Sequence, residues 1–390
     1  MTPSTLYLNP RMEKRLRGGH LWVYSNEIDT HRSPLKGLEP GSVVDVCASK
    51  GYFLGRGTVN PATLIAVRLL SRQQEEIDAG FFERRLSRAL QLRQTLYPSP
   101  WYRLVHSEGD GLPGLVVDRF DDTLVIEVNT AGMQALQPIW EPVLRQLTGA
   151  RELIFKQDSS GRRLEGLPTE GEDTTPRQVA VPENGMALHC DLGGGQKTGW
   201  FYDQRPHREL FARLAQGKRV LDVFSYVGAW GLGAAAHGAL SVHCVDASAP
   251  ALTQLEATAA AAGLDVQTLQ GDALQTLIAQ RDMGRQFDLI VVDPPALIKR
   301  KKDLEAGREH YARLNHVALQ ILAPGGLLFA SSCSHHMPAE TLLAMVQREA
   351  SKLGRSLQLI HSGGAGPDHP VHPAMPETAY LKTFALRDIA

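Results

Sequence analysis

Three hydrophobic patterns follow one another along the chain. Over roughly the first 70 residues the apolar positions fall in short runs, Ser42–Cys47, Tyr52–Leu54 and Leu64–Leu69, separated by Gly, Asn and Pro. Short runs of this kind with turn residues between them predict a small β-rich module. Gln73–Tyr97 carries apolar residues at helical spacing among Glu, Arg and Gln, and predicts a helix. Next come strand signals at Leu115–Val117 and Leu124–Val128 around Asp121 and Asp122, a helical stretch at Gln134–Leu147 and a strand at Glu152–Lys156. Asp158–Arg177 is polar and rich in Gly, Glu and Thr, and reads as a loop or hairpin tip.

From Gly199 the pattern changes again. Strand signals near Val220–Phe224, Ser241–Val245, Val266–Leu269, Leu289–Val292 and Leu327–Ser331 alternate with helical stretches. Alternation of that sort predicts α/β architecture with a doubly wound, Rossmann-like sheet, whose ligands lie at the carboxyl ends of the strands. The expected division is a β-rich domain over residues 1–72, a small central α/β domain over 73–190 and the Rossmann-like domain over 191–390.

Composition narrows the class. A length of 390 residues suits two or three domains, and 43% hydrophobic with 21% charged content suits a soluble globular protein. The net charge of −1 removes any argument for nucleic acid from overall charge, so a basic surface has to be local. The four cysteines, Cys47, Cys190, Cys244 and Cys333, form no CxxC pair, which indicates neither a zinc knuckle nor a disulfide framework. Free thiols and the lack of a signal-peptide pattern or membrane-length apolar run predict a cytoplasmic protein without metal or membrane partner.

Candidate chemistry collects at strand ends. Val220–Ala236, VLDVFSYVGAWGLGAAA, reads as a strand, a glycine turn and a helix, with Asp222, Phe224, Ser225 and Gly228 at the turn. Its glycines are spaced G-x-x-G-x-G, which argues against a nicotinamide dinucleotide. The second strand ends at Asp246-Ala247-Ser248, where an acid can accept hydrogen bonds from a ribose diol. Gly271-Asp272-Ala273 follows the third strand and could hold an adenine edge. Upstream, the string Phe201, Tyr202, Asp203, Gln204, Arg205 could wall off a cofactor, or serve as a helix start with Asp203 as N-cap and Pro206 in the first turn. Any one such acid could equally be a solvated strand end; the ordered series carries the cofactor reading.

Two further strand ends complete the set. Ile290–Pro295, IVVDPP, places Asp293 before a rigid Pro294-Pro295 turn. Phe329–Met337, FASSCSHHM, places Cys333 after the fifth strand signal. A thiolate there could add to carbon 6 of a pyrimidine and make carbon 5 nucleophilic, while Asp293 accepts from the base edge and Pro294 shapes its slot. A lone cysteine is more often inert, and Cys244, inside a strand, reads as core. His335 or His336 could modulate the cysteine's proton, although adjacent loop histidines are usually solvated, and His369 and His372 read as structural or base-pocket residues rather than metal ligands. For nucleic acid, two basic runs stand out: Arg11, Lys14, Arg15 and Arg17 before Trp22 and Tyr24, and Lys299, Arg300, Lys301 and Lys302 after the Asp-Pro-Pro turn. Either could also be a solvated loop.

These strings resemble the bacterial 23S ribosomal RNA cytosine-5 methyltransferases of the large-subunit methyltransferase I type, nearly end to end. RMEKRLRGGHLWVYSNEI and GTVNPATLIAVRLL are similar to that family's PUA domain, and SEGDGLPGLVVDRFDD to its central domain. KTGWFYDQRPHR, LDVFSYVGAWG, DPP, SSCS and DHPVHPAMPETAYLK are similar to its methyltransferase signatures. The resemblance implies S-adenosylmethionine as cofactor, 23S ribosomal RNA as substrate and a cysteine nucleophile at Cys333. Related cytosine methyltransferases carry a second cysteine beside the Asp-Pro-Pro proline, which is missing here, and Ala296-Leu297 also departs from the expected basic-aromatic pair. The competing readings are methylation of an exocyclic amine such as guanine N2, an RNA-binding assembly factor, and a small-molecule methyltransferase. The oligomeric state stays open, with a homodimer as one option.

Overall fold

The computed structural model describes residues 3–169, 174–194 and 198–389. The chain forms two compact units: residues 1–177 with 191–202 and 367–378, and residues 178–190 with 203–366 and 379–390.

The first unit contains two sheets. Strands β1 (Ser4–Tyr7), β2 (Trp22–Tyr24), β3 (Val43–Cys47), β4 (Phe53–Val59) and β5 (Ile65–Ser71) pair in the order β1-β3-β4-β5-β2. Only β1 and β3 run parallel, and the one-turn helix α1 (Lys14–Arg17) precedes β2. Val23, Val44, Val46 and Val67 fill the core of this module. Helix α2 (Ala79–Leu96) begins later than the helical pattern from Gln73 suggests, because the Asp78 side chain accepts the Phe81 N–H at 2.9 Å and caps it there. Strands β6 (Trp101–His106), β7 (Leu115–Phe120), β8 (Thr123–Val128) and β9 (Glu152–Lys156) pair in sequence order, with β8 and β9 parallel. The helical stretch expected at Gln134–Leu147 is two helices, α3 (Ala131–Ala135) and α4 (Gln137–Thr148). Phe81 and Leu86 of α2 join Trp140 of α4 and Leu124 of β8 in the second core. The expected loop over Asp158–Arg177 contains a short helix, α5 (Ser160–Leu164), capped by Ser159; residues 170–173 of that stretch lie outside the described residues.

Strands β10 (Gln178–Glu183) and β11 (Met186–Asp191) pair as a two-stranded sheet that the hydrophobic pattern does not suggest. In the second unit, α6 (Arg205–Arg213) leads into β12 (Arg219–Val223), α7 (Ala229–Ala236), β13 (Ser241–Asp246), α8 (Ala249–Ala262), β14 (Gln267–Gln270), α9 (Ala273–Asp282), β15 (Phe287–Val292), α10 (Leu304–Gln320), β16 (Leu322–Ser332) and α11 (Ala339–Lys352). The chain closes with β17 (Leu357–Gly363) and β18 (Lys382–Asp388). The sheet order is β14-β13-β12-β15-β16-β18-β17. Its first five strands are parallel, and β18 runs antiparallel to both β16 and β17. The parallel strands match the doubly wound expectation, and β17 and β18 add an antiparallel edge to it. Leu221, Val245, Ile290 and Leu328 of the sheet share a core with Leu277, Leu314 and Val346 of α9, α10 and α11.

Candidate active site at the carboxyl ends of the strands

The turn after β12 is forced into an uncommon shape. Phe224 has φ of 70° and Tyr226 of 50°, and Gly228 follows at 83°. Non-glycine residues with positive φ are uncommon and collect at functional sites. Gly228 has no alternative here: a Cβ would stand 2.6 Å from Leu255. The turn is tied to the neighbouring strand, since the Phe224 and Ser225 N–H groups both donate to Val245 O at 2.9 Å. Asp246 accepts from Tyr226 N and Ser248 N, each at 2.8 Å, while Ser248 caps α8. Gly271 N donates to Asp246 O at 3.0 Å, and Asp272 caps α9 through Gln275 N. The turns after the first three strands are thus knitted together by hydrogen bonds to Val245 O, Asp246 O and the Asp246 carboxylate. Asp272 is exposed, Ala247 is exposed and Ala273 is buried.

Asp222 is fully buried, and its Oδ2 accepts Gly231 N at 2.9 Å. Among the described residues, Asp222 Oδ1 and Ser225 Oγ are buried without a hydrogen-bond partner. Burial raises the Asp222 carboxyl to about 8, opposed by the Gly231 N–H and reinforced by Asp293 and Asp246. Asp293 is raised to about 6 by burial and by Asp203, although Trp230 and Gln204 bond to it. Those bonds run from Gln204 Nε2 to Asp293 Oδ1 at 2.8 Å and from Trp230 Nε1 to Oδ2 at 3.2 Å. Asp203 accepts the Tyr380 hydroxyl at 2.7 Å. Two buried carboxyls, Asp222 and Asp203, and the half-buried Asp293 lie around the glycine turn, and with two buried polar atoms to spare they suit a ligand that carries hydroxyl and amine groups.

The upstream segment differs from one expectation. Gln204, not Asp203, precedes α6 as its N-cap residue, with no side-chain cap bond, while Pro206 does sit in the first turn. The Gln204 amide is used elsewhere: it donates to Asp293, and its oxygen accepts Thr383 Oγ1 at 3.1 Å. Arg205 lies 3.6 Å from Glu183 Oε2, and Arg208 pairs with the same carboxylate at 2.8 Å. Phe201, half-buried, belongs to the first unit, and Lys197 lies outside the described residues.

Cys333 is half-exposed just past β16, whereas Cys47, Cys190 and Cys244 are buried. Its Sγ lies 3.8 Å from Pro294 O, so the Ser-Cys-Ser turn and the Asp-Pro-Pro turn meet. The flanking serines are fully buried and anchored. Ser332 Oγ donates to Tyr311 Oη at 2.9 Å, Ser334 Oγ lies 3.0 Å from the same oxygen, and Ile298 N donates to Ser334 Oγ. Lys382 of β18 donates to Ser334 O and Tyr380 O, both at 2.7 Å. Burial lowers its ammonium to about 8, with Cys333 pulling the other way. Sequence reasoning missed Tyr311 and Lys382. The former is one tyrosine in a helix, and only the final strand's pairing with β16 brings the latter to the turn.

The remaining candidates are scattered. Arg15 bonds both oxygens of Glu27 at 2.8 and 2.9 Å and stacks on Tyr24, so its charge is already matched. Arg11, Lys14 and Arg17 are exposed in the first unit, with Arg17 4.0 Å from Glu13. Lys299, Arg300, Lys301 and Lys302 are exposed in the second, with Arg300 paired to Asp303. His335 is exposed, and His369 is buried against Asp368 at 2.8 Å. Among the described residues no helix is long and apolar enough to cross a membrane.

Fold and turn chemistry together define an S-adenosylmethionine-dependent methyltransferase: residues 135–385 match that family, and residues 6–72 match the PUA-like domain family. Relatives named ribosomal RNA large subunit methyltransferase I are 37% identical in Shewanella denitrificans, covering 97% of this chain and 98% of theirs. The protein of that name from Erwinia tasmaniensis is also 37% identical, over 98% and 99%. The chain belongs to the ribosomal RNA large subunit methyltransferase I family. Solved structures agree on the fold. A candidate SAM-dependent methyltransferase from Streptococcus mutans superposes with a TM-score of 0.81 at 22% identity, covering 98% of this chain and 100% of its own. A second candidate methyltransferase, complexed with SAH, gives 0.83 at the same identity and coverage. The cofactor is S-adenosylmethionine.

Proposed function

We propose that this chain methylates carbon 5 of a cytosine in large-subunit ribosomal RNA, with Cys333 bonded transiently to carbon 6. The carrying observation is the half-open thiol of Cys333, in a turn fixed on both sides by buried serines and set against Pro294. The relatives' name supports the RNA class. The first-unit residues Arg11, Lys14, Arg15 and Arg17, and Lys299–Lys302 in the second, are the proposed RNA contacts. A division at residues 1–72, 73–190 and 191–390 remains the proposed domain plan.

Asp222, Phe224, Ser225, Gly228, Asp246, Ala247, Ser248, Gly271, Asp272 and Ala273 would hold the cofactor, with Asp203, Gln204, Arg205, Asp293 and Pro294 flanking it. When bound, the cofactor supplies an electrophilic methyl group. The thiolate of Cys333 adds to carbon 6, and the electron pair of the ring double bond moves to carbon 5, which takes the methyl. A base then removes the carbon-5 proton, the double bond reforms and the thiolate leaves. The Lys382 ammonium, held beside the turn, favours the thiolate over the thiol. Asp293, fixed by Gln204 and Trp230, presents its remaining lone pairs to the base edge.

A 5-fluorocytidine-containing ribosomal RNA fragment tests this, because fluorine at carbon 5 cannot leave as a proton and the adduct persists. The expected result with S-adenosylmethionine is a covalent protein–RNA band on a denaturing gel, absent for Cys333→Ala. That variant should also lose methyl transfer by about a thousandfold or more. Methyl transfer that survives Cys333→Ala, with no adduct in either protein, would point to exocyclic-amine methylation instead.

A further inference from the structure

The first unit carries a cavity whose arginines belong neither to the quoted sequence strings nor to the proposed RNA contacts. It has a volume of about 570 Å³ and is lined by Arg72, Arg84, Arg85 and Arg88, with Glu75 and Asp110 as its acids. Both acids are already spent. Asp110 bonds the fully buried Arg93 at 2.6 and 2.8 Å and also accepts His106 N. Glu75 pairs with Arg84 at 2.5 Å and accepts the Ser71 hydroxyl. Among the described residues, no carboxylate forms an ion pair with Arg72, Arg85 or Arg88. Arg85 forms the half-buried floor, stacked 5.4 Å over Phe81 and donating to Leu70 O at 3.0 Å. Burial, and then the neighbouring charges of Arg88 and Arg84, disfavour its protonated form, with Glu75 opposing them. Arg72, Arg84 and Arg88 are exposed above it. Of the four arginines only Arg84 is ion-paired among the described residues, so the cavity keeps a cationic excess that an anionic ligand would offset.

Arg72 also lines a second cavity, with Arg11, Arg17, Lys50 and Tyr52. Tyr52 is 62% exposed, an aromatic ring open to stacking. Arg72 is common to both linings, so basic side chains line the two cavities, with Glu13 beside Arg17 and the exposed Tyr52 ring in the second. Spaced guanidinium groups in a groove, with a ring for a base to stack on, match a run of RNA phosphates rather than one small anion.

We infer that the Arg72–Arg85–Arg88 cavity is a phosphate-binding segment of the RNA path across the first unit, continuous through Arg72 with the groove around Arg11 and Tyr52. This inference rests on the ribosomal RNA reading above. Its test is equilibrium binding of the full chain to a large-subunit ribosomal RNA transcript across a salt series. Each phosphate contact contributes about 0.7 to 0.9 to the slope of log affinity against log salt. The Arg72→Gln/Arg85→Gln/Arg88→Gln variant should lose about two units of slope or more, and at least about tenfold in affinity at low salt. S-adenosylhomocysteine affinity should stay at the wild-type value, and an unchanged urea-unfolding curve reports that the first unit is intact as well. Should the triple variant misfold, the exposed pair Arg72→Gln/Arg88→Gln should still lose between about one and two units. A wild-type slope in variants that bind S-adenosylhomocysteine normally would overturn the inference alone. Failure of the wild-type protein to bind the transcript would overturn the RNA reading and the inference together.

Discussion

On the proposed reading, Lys382, rather than a group beside Cys333 in sequence, favours its thiolate. A buried ammonium next to a thiol shifts the balance toward thiolate by simple Coulomb attraction, and the attraction grows as water is excluded. Its own pKa of about 8 means that it carries its charge at neutral pH and begins to lose it just above. Lys382→Met should therefore move the pH profile of Cys333 alkylation to higher pH and slow alkylation near pH 7. Peptide mass spectrometry after iodoacetamide treatment reads this cleanly, because the other three cysteines are buried. An unchanged profile would show that the lysine serves only to tie Ser334 O and Tyr380 O together.

The turn that presents Cys333 depends on α10 as much as on β16. Tyr311 reaches from the helix to both flanking serines, so one hydroxyl holds two buried hydroxyl groups. Tyr311→Phe should destabilise the protein by about 1 to 3 kcal/mol, because the serines would lose a buried partner, and urea unfolding would measure it. The parallel strands were legible because fully buried strands alternate with helices, and the strand-end acids followed from that pattern. The β10–β11 pair carries its signal in the turn rather than in the hydrophobic pattern: Asn184 and Gly185, both with positive φ, join the two strands. β17 was harder, since its residues are mostly exposed and show no buried face to betray a strand. Asp203 looked like a helix cap from its position before Arg205 and Pro206, but tertiary contacts with Tyr380 place it elsewhere. Lys382 and Tyr311 could not be found from spacing at all, because long-range pairing alone brings them to Cys333.

Taken over the second unit, the buried acids make stability depend on pH in a definite direction. Asp222 holds its proton up to about pH 8 when folded, whereas the free carboxyl loses it near 3.8. Between those values the folded state binds more protons than the unfolded one, so stability is full below the lower value and falls as pH rises through the window. Asp293, raised to about 6, adds to the lower part of the same fall. Asp222→Asn keeps an oxygen for Gly231 N and removes the titration. Ligand-free variant protein, unfolded in urea at pH 4 to 9, should show a shallower decline, with the remaining slope concentrated below about pH 6. A decline as steep as the wild type's would mean that Asp222 is ionised in the folded protein.

The antiparallel insertion of β18 between β16 and β17 also has a bearing on how the protein is made. Cys333 emerges from the ribosome well before Lys382 does, and until then β16 has an unpaired edge and the thiol lacks its ammonium neighbour. On the proposed reading, a nascent chain that already carries the glycines and acids of the cofactor turn would still lack the lysine beside Cys333, so the thiol would gain its ammonium neighbour only as the last strand pairs with β16.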